Sequence, residues 1–232
     1  EDHFRIQVIL PALSITEAWR VADEMDDSIE AHLDIAFNEK YGYMTSCPTN
    51  VGTGLRASVM MHLPGLVLSK QANRILGVLS RVGLVVRGIY GEGTEALGNI
   101  FQISNQITIG RNEKEIINNL SSVVLKIIDQ ERNARELLKK ETGFVLEDKI
   151  CRSYGILSNA RVISSEEALN LLSDIKLGMD LNIIKDENPK LFKQLMVMMQ
   201  PAYLQYSAGK EMSAMDRDIY RAEKIRLTLK NS

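Results

Sequence analysis

Cys47-Pro48-Thr49-Asn50-Val51-Gly52-Thr53-Gly54-Leu55-Arg56-Ala57-Ser58-Val59 joins a thiol, a glycine-flanked turn and an arginine that opens an apolar run. Small residues in such a turn let backbone approach a phosphate, and a fixed cation beside it neutralises charge, so the stretch has the parts of a phosphoryl-transfer site. Working outward, Gly42 to Cys47 and Leu55 to Leu63 read as strands, Leu66 to Leu79 as a helix, and Leu84 to Ile89 and Ile100 to Ile103 as further strands. Upstream, Ser14-Ile15-Thr16-Glu17 reads as a capping box ahead of Ala18, Ala22, Met25, Ile29, Leu33 and Ala36, which predicts an amphipathic helix. Downstream, Asn112 with Glu115 predicts the start of a long helix whose apolar face carries Ile116, Leu120, Val123, Ile127 and Leu138. Strands and helices interleaved in this way predict an α+β layer.

The chain has 232 residues, 45% hydrophobic and 25% charged, enough to bury the core of one large domain or two modest ones. A net charge of -2 argues against non-specific nucleic-acid binding, which needs a positive field along a phosphate backbone. The two cysteines, Cys47 and Cys151, have neither CxxC nor Cys/His metal spacing, so the sequence predicts no disulfide framework and no zinc site, and a reducing cytoplasm fits. Cys151 reads as a buried structural thiol. No apolar run reaches the roughly 20 residues of a membrane span and no signal-peptide pattern opens the chain. The first residue is Glu1 rather than Met, which reads as a piece with sequence missing upstream.

Beyond Gly143, read as a helix stop, helical patterns dominate. One helix is expected from Ser164-Ser165-Glu166-Glu167 to about Lys176, another from about Pro189 to Met199, and a last one after Ser213. Met196, Met198 and Met199 with Leu195 and Val197 form an adaptable apolar patch, read as bundle core ahead of dimer interface. The sequence thus predicts two domains, 1–137 and 138–232, the second all-helical.

The opening run, with Glu1-Asp2-His3-Phe4-Arg5 and Arg87-Gly88-Ile89-Tyr90-Gly91-Glu92-Gly93, resembles the phosphagen (guanidino) kinases. That resemblance implies an antiparallel sheet flanked by helices, of the glutamine-synthetase-like type. Within the family it implies that Glu1 and Glu92 orient and deprotonate a guanidinium with Cys47 assisting. Arg5, Arg56, Ala57, Ser58, Val59, Met60, Arg87, Gly88, Ile89, Tyr90, Gly91 and Glu92 would contact ATP. Chemistry demands such carboxylates, because a guanidinium with pKa above about 12 becomes a nucleophile only when something accepts its proton. Glu95 competes with Glu92; the family's arginine kinases place the carboxylate five residues after the phosphate-binding arginine, the spacing from Arg87 to Glu92. A lone arginine is usually a solvated side chain, but three inside matching motifs reverse that reading. Mg²⁺ would bridge ATP phosphates through phosphate oxygens and water.

Gly88 to Gly93, Ala96-Leu97-Gly98-Asn99-Ile100-Phe101-Gln102-Ile103-Ser104-Asn105 and the helical segment resemble the bacterial protein-arginine kinases of the McsB type. This implies phosphorylation of arginine side chains in proteins, marking them for a Clp chaperone-protease in stress response and quality control. An activator partner and a homodimer are implied as well. Arg217-Asp218-Ile219-Tyr220-Arg221-Ala222 is similar to the family's RDxxRA motif, which implies an allosteric phosphoarginine pocket lined by Arg217, Asp218, Arg221 and Ala222. Helical spacing puts Arg217 and Arg221 on one face, able to grip one phosphate, with Asp218 toward the ligand's guanidinium. The family also uses an upstream Ser-x-Arg-x-Arg strand and a small helical domain that this chain lacks. Two other readings stand beside the kinase: a non-catalytic phosphoarginine-binding scaffold, and a kinase of free arginine.

Overall fold

The computed structural model describes residues 3–88, 97–185 and 190–230. Along the chain run α1 (Ile15–Glu30), β1 (Phe37–Asn38), β2 (Gly42–Tyr43), β3 (Ser58–His62), α2 (Pro64–Leu68), α3 (Ala72–Leu76), β4 (Leu84–Gly88) and β5 (Ile100–Asn105). Then follow α4 (Glu113–Asn159), α5 (Ser165–Asp180), α6 (Leu191–Met198), α7 (Pro201–Ala208) and α8 (Ala214–Lys230). The chain divides into two compact units: one from 1–61, 71–95 and 101–130, the other from 62–70, 96–100 and 131–232.

In the first unit the runs read as strands pair because β-branched and apolar residues suit a half-buried pleated surface. The larger sheet has the order β3-β5-β4. β4 and β5 are antiparallel, with Leu84 opposite Asn105, Val86 opposite Ile103 and Gly88 opposite Phe101. Leu84 and Ile103 are buried, as are Ile116, Ile117, Leu120, Val124 and Ile127 at helical spacing on α4. Asn112 and Glu115 cap that helix reciprocally: the Glu115 amide donates to Asn112 Oδ1 at 2.8 Å and the Asn112 amide to Glu115 Oε2 at 3.2 Å. The architecture is thus antiparallel sheet with flanking helices.

Several local expectations are corrected. Ser14 precedes α1, but its hydroxyl donates to the Pro11 carbonyl, and the Glu17 carboxylate is taken by Arg20 at 2.6 Å, so no capping box closes. The helix ends at Glu30, leaving Leu33 and Ala36 outside it, and none of its residues is fully buried. The strand read over Gly42 to Cys47 pairs only at Gly42–Tyr43, and the one read from Leu55 begins at Ser58. The single helix read over Leu66 to Leu79 is instead α2, α3 and a 3₁₀ turn at Leu79–Val82, and Lys70 at φ 58° makes the break between α2 and α3. The helix stop read at Gly143 falls beside Thr142 (φ -129°), where a kink interrupts α4 before helix resumes to Asn159. Cys151 is exposed rather than buried.

The second unit is helical with a continuous core. Leu157, Ile163, Leu169, Leu172, Ile175, Leu191, Leu195, Met199, Ala222 and Ile225 bury together, with Met196 and Met198 packed against them. The methionine-rich run is therefore core in the main, while Val197 stays exposed. Ser164 caps α5, its hydroxyl accepting the Glu167 amide at 3.1 Å. Glu131, almost fully buried, caps the start of α2 by accepting the Gly65 and Leu66 amides at 2.8 and 2.9 Å, and Arg135 holds it at 2.6 Å. A buried carboxylate in this position is neutralised by one cation and two aligned amides. Helix α7, opened by Pro201 at its first turn, has no counterpart in the sequence reading.

Candidate functional site

Between β2 and β3 the chain has almost no regular structure, yet it is tightly held. Gly52 and Tyr43 exchange backbone hydrogen bonds at 2.8 and 3.2 Å. The Tyr43 hydroxyl donates to Asp26 Oδ2 at 2.7 Å and Glu30 Oε1 at 2.5 Å, tying β2 to the end of α1. Burial, aided by those carboxylates, holds the Tyr43 phenol protonated well above its ordinary range. From the other side Thr108, itself buried, donates its hydroxyl to the carbonyls of Thr49 (3.0 Å) and Val51 (2.8 Å), while its carbonyl accepts the Thr53 amide at 3.0 Å.

Asn105 completes the brace. Its Oδ1 accepts the Ala57 amide at 2.8 Å, and its Nδ2 donates to the carbonyls of Leu55 (2.9 Å) and Ile107 (3.2 Å). Buried backbone that cannot pair in a ladder is satisfied here by two side chains. Gly52 sits at φ 111° where a Cβ would lie 2.3 Å from the Thr108 carbonyl oxygen, so only glycine fits. Neither Asn105 nor Thr108 stood out as a site residue in the sequence. The available signal was a polar Asn-x-x-Thr spacing directly after an apolar strand, which is common at strand ends.

The brace determines what the turn displays. Arg56 and Ser58 are exposed, Ala57 between them is buried, Val59 is half-buried and Met60 exposed. Cys47 is half-buried, with Sγ 3.0 Å from the Thr49 hydroxyl. Arg87 lies on β4 opposite Gln102 of β5, whose side-chain amide donates to the Ser58 hydroxyl at 3.1 Å, so Ser58, Gln102 and Arg87 span the three strands. Gly88 ends β4 and is buried. Arg5 is exposed in irregular chain. Glu1, Ile89, Tyr90, Gly91, Glu92 and Glu95 lie outside the described residues. Two guanidinium groups and a hydroxyl on a fixed backbone make a donor set that fits polyphosphate oxygens.

In the second unit, the motif on α8 separates into two environments. Arg221 is 1% exposed. Its Nε donates to the Met199 carbonyl and Nη1 to the Ile163 carbonyl, both at 2.9 Å, and Nη1 also meets Asp218 Oδ1. The Asp218 carbonyl in turn accepts the Ile163 amide at 3.2 Å, so Ile163, just before α5, is held from both sides. Ala222 is buried in the core. Arg217 and Asp218 remain half-exposed, with Arg217 Nη1 donating to the Met212 carbonyl at 2.9 Å. Arg221 thus has Nε and Nη1 committed to backbone and to Asp218, whereas Arg217 on the same helix is half-exposed.

Residues 1–134 match the family described as ATP:guanido phosphotransferase, C-terminal catalytic domain, and residues 144–232 match the protein-arginine kinase McsB C-terminal domain. The chain is 59% identical to the protein-arginine kinase of Moorella thermoacetica, over 97% of this chain and 65% of that protein. It is 57% identical to the protein-arginine kinase of a Geobacillus species, over 99% of this chain and 64% of that protein. It therefore spans just under two thirds of the length of these relatives. Among solved structures, the duplicated taurocyamine kinase of Schistosoma mansoni with transition-state-analogue components is 32% identical, covering 51% of this chain and 16% of that one at a TM-score of 0.45.

Proposed function

We propose, from the premise that this chain belongs to the ATP:guanido phosphotransferase family and carries a protein-arginine kinase C-terminal domain, that the protein moves the γ-phosphoryl group of ATP onto arginine side chains of proteins. The observation that carries this reading is the braced turn, in which Asn105 and Thr108 fix the backbone and leave Arg56 and Ser58 exposed, with Arg87 on the same sheet two strands from Ser58. In the transfer, the bond between the γ-phosphorus and the bridging oxygen breaks and a phosphorus–nitrogen bond forms. One guanidinium proton leaves to a carboxylate, and ADP departs. Arg5, Arg56 and Arg87 neutralise the phosphates, and Glu1 and Glu92 orient the acceptor and take its proton, with Cys47 beside it. Preorganised cations are worth most when their backbone does not have to reorganise, which is what the two buried side chains supply.

Mg²⁺ would ride on the phosphate oxygens of the nucleotide and offset their charge. The same reading assigns 1–137 to catalysis and 138–232 to dimerisation and regulation through phosphoarginine at Arg217 and Asp218. Its wider terms are an activator protein, hand-over of marked proteins to a Clp chaperone-protease, and a cytoplasmic bacterial setting. No helix among the described residues is long and apolar enough to cross a membrane.

The test is incubation of the full-length protein with ATP, Mg²⁺ and an arginine-rich protein, followed by mapping of acid-labile phosphate. Phosphoarginine on the protein and none on free arginine is the expected result, and Glu92→Gln should abolish it with the fold unchanged. Binding of phosphoarginine without any turnover would replace the kinase by a reader; transfer to free arginine alone would replace the substrate class.

A further inference from the structure

One face of the larger sheet is drawn together by a side chain that belongs to neither the braced turn nor the motifs. Gln102 lies on β5, the middle strand of the order β3-β5-β4, within the first compact unit. It stands directly opposite Arg87 of β4 in the antiparallel register, and side chains paired in this way leave the sheet on the same face. Toward the other edge its side-chain amide donates from Nε2 to the Ser58 hydroxyl of β3 at 3.1 Å. Ile103, the next residue of β5, points the opposite way and is fully buried, as a period of two requires. The backbone just before Ser58 is fixed independently: the Ala57 amide donates to Asn105 Oδ1 at 2.8 Å and the Ala57 carbonyl accepts the Asn105 amide at 3.2 Å.

With that backbone held, the freedom left at exposed Ser58 is the rotation of its hydroxyl. A serine oxygen can accept two hydrogen bonds and donate one, whereas an amide NH₂ group only donates. The contact from Gln102 Nε2 therefore fills an acceptor position of Ser58 Oγ and turns its single O–H away from β5. A hydroxyl proton directed outward from a fixed backbone is a ready donor to an anionic oxygen, and orienting it beforehand removes the cost of orienting it on binding. Gln102 is also uncharged, so the position opposite Arg87 adds no carboxylate to the face that has to receive a polyphosphate. Resting on the phosphotransfer reading above, we propose that Gln102 is a positioning residue for the nucleotide: it acts through Ser58, whose hydroxyl it presents to a phosphate oxygen of ATP, and touches no substrate itself.

Gln102 is half-buried, so Gln102→Leu keeps most of its bulk on the sheet and removes its donor. The experiment measures ATP kinetics of the full-length protein, with an arginine-rich protein as acceptor, for Gln102→Leu, Ser58→Ala and the double variant. Each single change is expected to raise the KM for ATP about fivefold while kcat changes less than about twofold, as loss of ground-state binding does. The double variant should be no worse than Ser58→Ala alone, because a residue that acts through Ser58 then has nothing left to act on. Wild-type KM for ATP in Gln102→Leu would overturn the inference, and so would a double variant whose loss is the product of the two single losses. A lowered urea midpoint with unchanged KM would overturn it as well, by assigning Gln102 to the sheet alone. Absence of both ATP binding and transfer in the unmodified protein would instead overturn the functional reading, and the role of Gln102 with it.

Discussion

The braced turn of the first unit and the α8 motif of the second use buried polar groups in opposite ways. In the turn, Asn105 and Thr108 satisfy backbone groups at Thr49, Val51, Leu55 and Ala57, and the cationic residue of the motif, Arg56, stays exposed. On α8 a motif arginine is itself the brace: Arg221 holds the ends of two other elements at Ile163 and Met199, and its neighbours Arg217 and Asp218 stay half-exposed. The lesson is that a motif residue can be required because it carries the chemistry or because it holds the backbone of the residue that does.

That contrast can be broken by mutation. The largest effect is expected from Gly52→Ala, where a Cβ would collide with the Thr108 carbonyl at positive φ. About 4 kcal/mol of lost stability, or loss of ATP binding with a disordered turn, should appear in denaturant unfolding and nucleotide titration. Next comes Arg221→Ala, which strips the donor from two carbonyls and from Asp218 and should cost about 3 kcal/mol. Arg221→Lys should restore little, since a single ammonium cannot reproduce the forked geometry. A stable Arg221→Ala protein that merely lost phosphoarginine binding would put Arg221 back among the ligand residues and erase the contrast.

Asn105→Ala should cost about 2 kcal/mol and weaken ATP binding with it, because Ala57, Leu55 and Ile107 lose their partner. At neutral pH His62 gives no titration effect, and its contribution appears only on acidification. Burial sets its folded-state value at about 3, below the ordinary 6.5, so the unfolded chain takes up a proton first as the solution is acidified. Stability is therefore complete above pH 6.5 and declines toward pH 3 by at most about 1.4 kcal/mol per pH unit. His62→Gln should flatten that slope, as read from urea midpoints across the pH range. The smallest change is expected from Arg217→Ala, within about 0.5 kcal/mol of wild type in stability, with reduced phosphoarginine affinity in calorimetry. Arg217→Ala as destabilising as Arg221→Ala would show that the two arginines do one job.

Legibility differed by kind of feature. The caps at Asn112 and Ser164 were readable because a capping side chain acts within four residues of itself. The pattern at Ser14 is of the same type, yet it failed because Arg20, one turn further on, competes for the Glu17 carboxylate. The break at Lys70 carries no glycine or proline to announce it. Cys151 is exposed because burial depends on which face of α4 a residue occupies, and composition is silent on that.

By itself the sequence determined the family, the α+β character of the first part, the helical character of the second, and the residue types that phosphoryl transfer to a guanidinium requires. These are local or pattern-borne properties: turn glycines, arginines in motif, the 3.6-residue period. Tertiary structure alone decided that Thr108 and Asn105 lock a turn up to 59 residues away in the chain, that Arg221 is buried as a clamp, and that α5 reaches Gly98 and Asn99 through side chains 72 and 74 residues distant. Such pairings satisfy buried backbone groups, and which groups become buried is fixed only when the whole chain has packed.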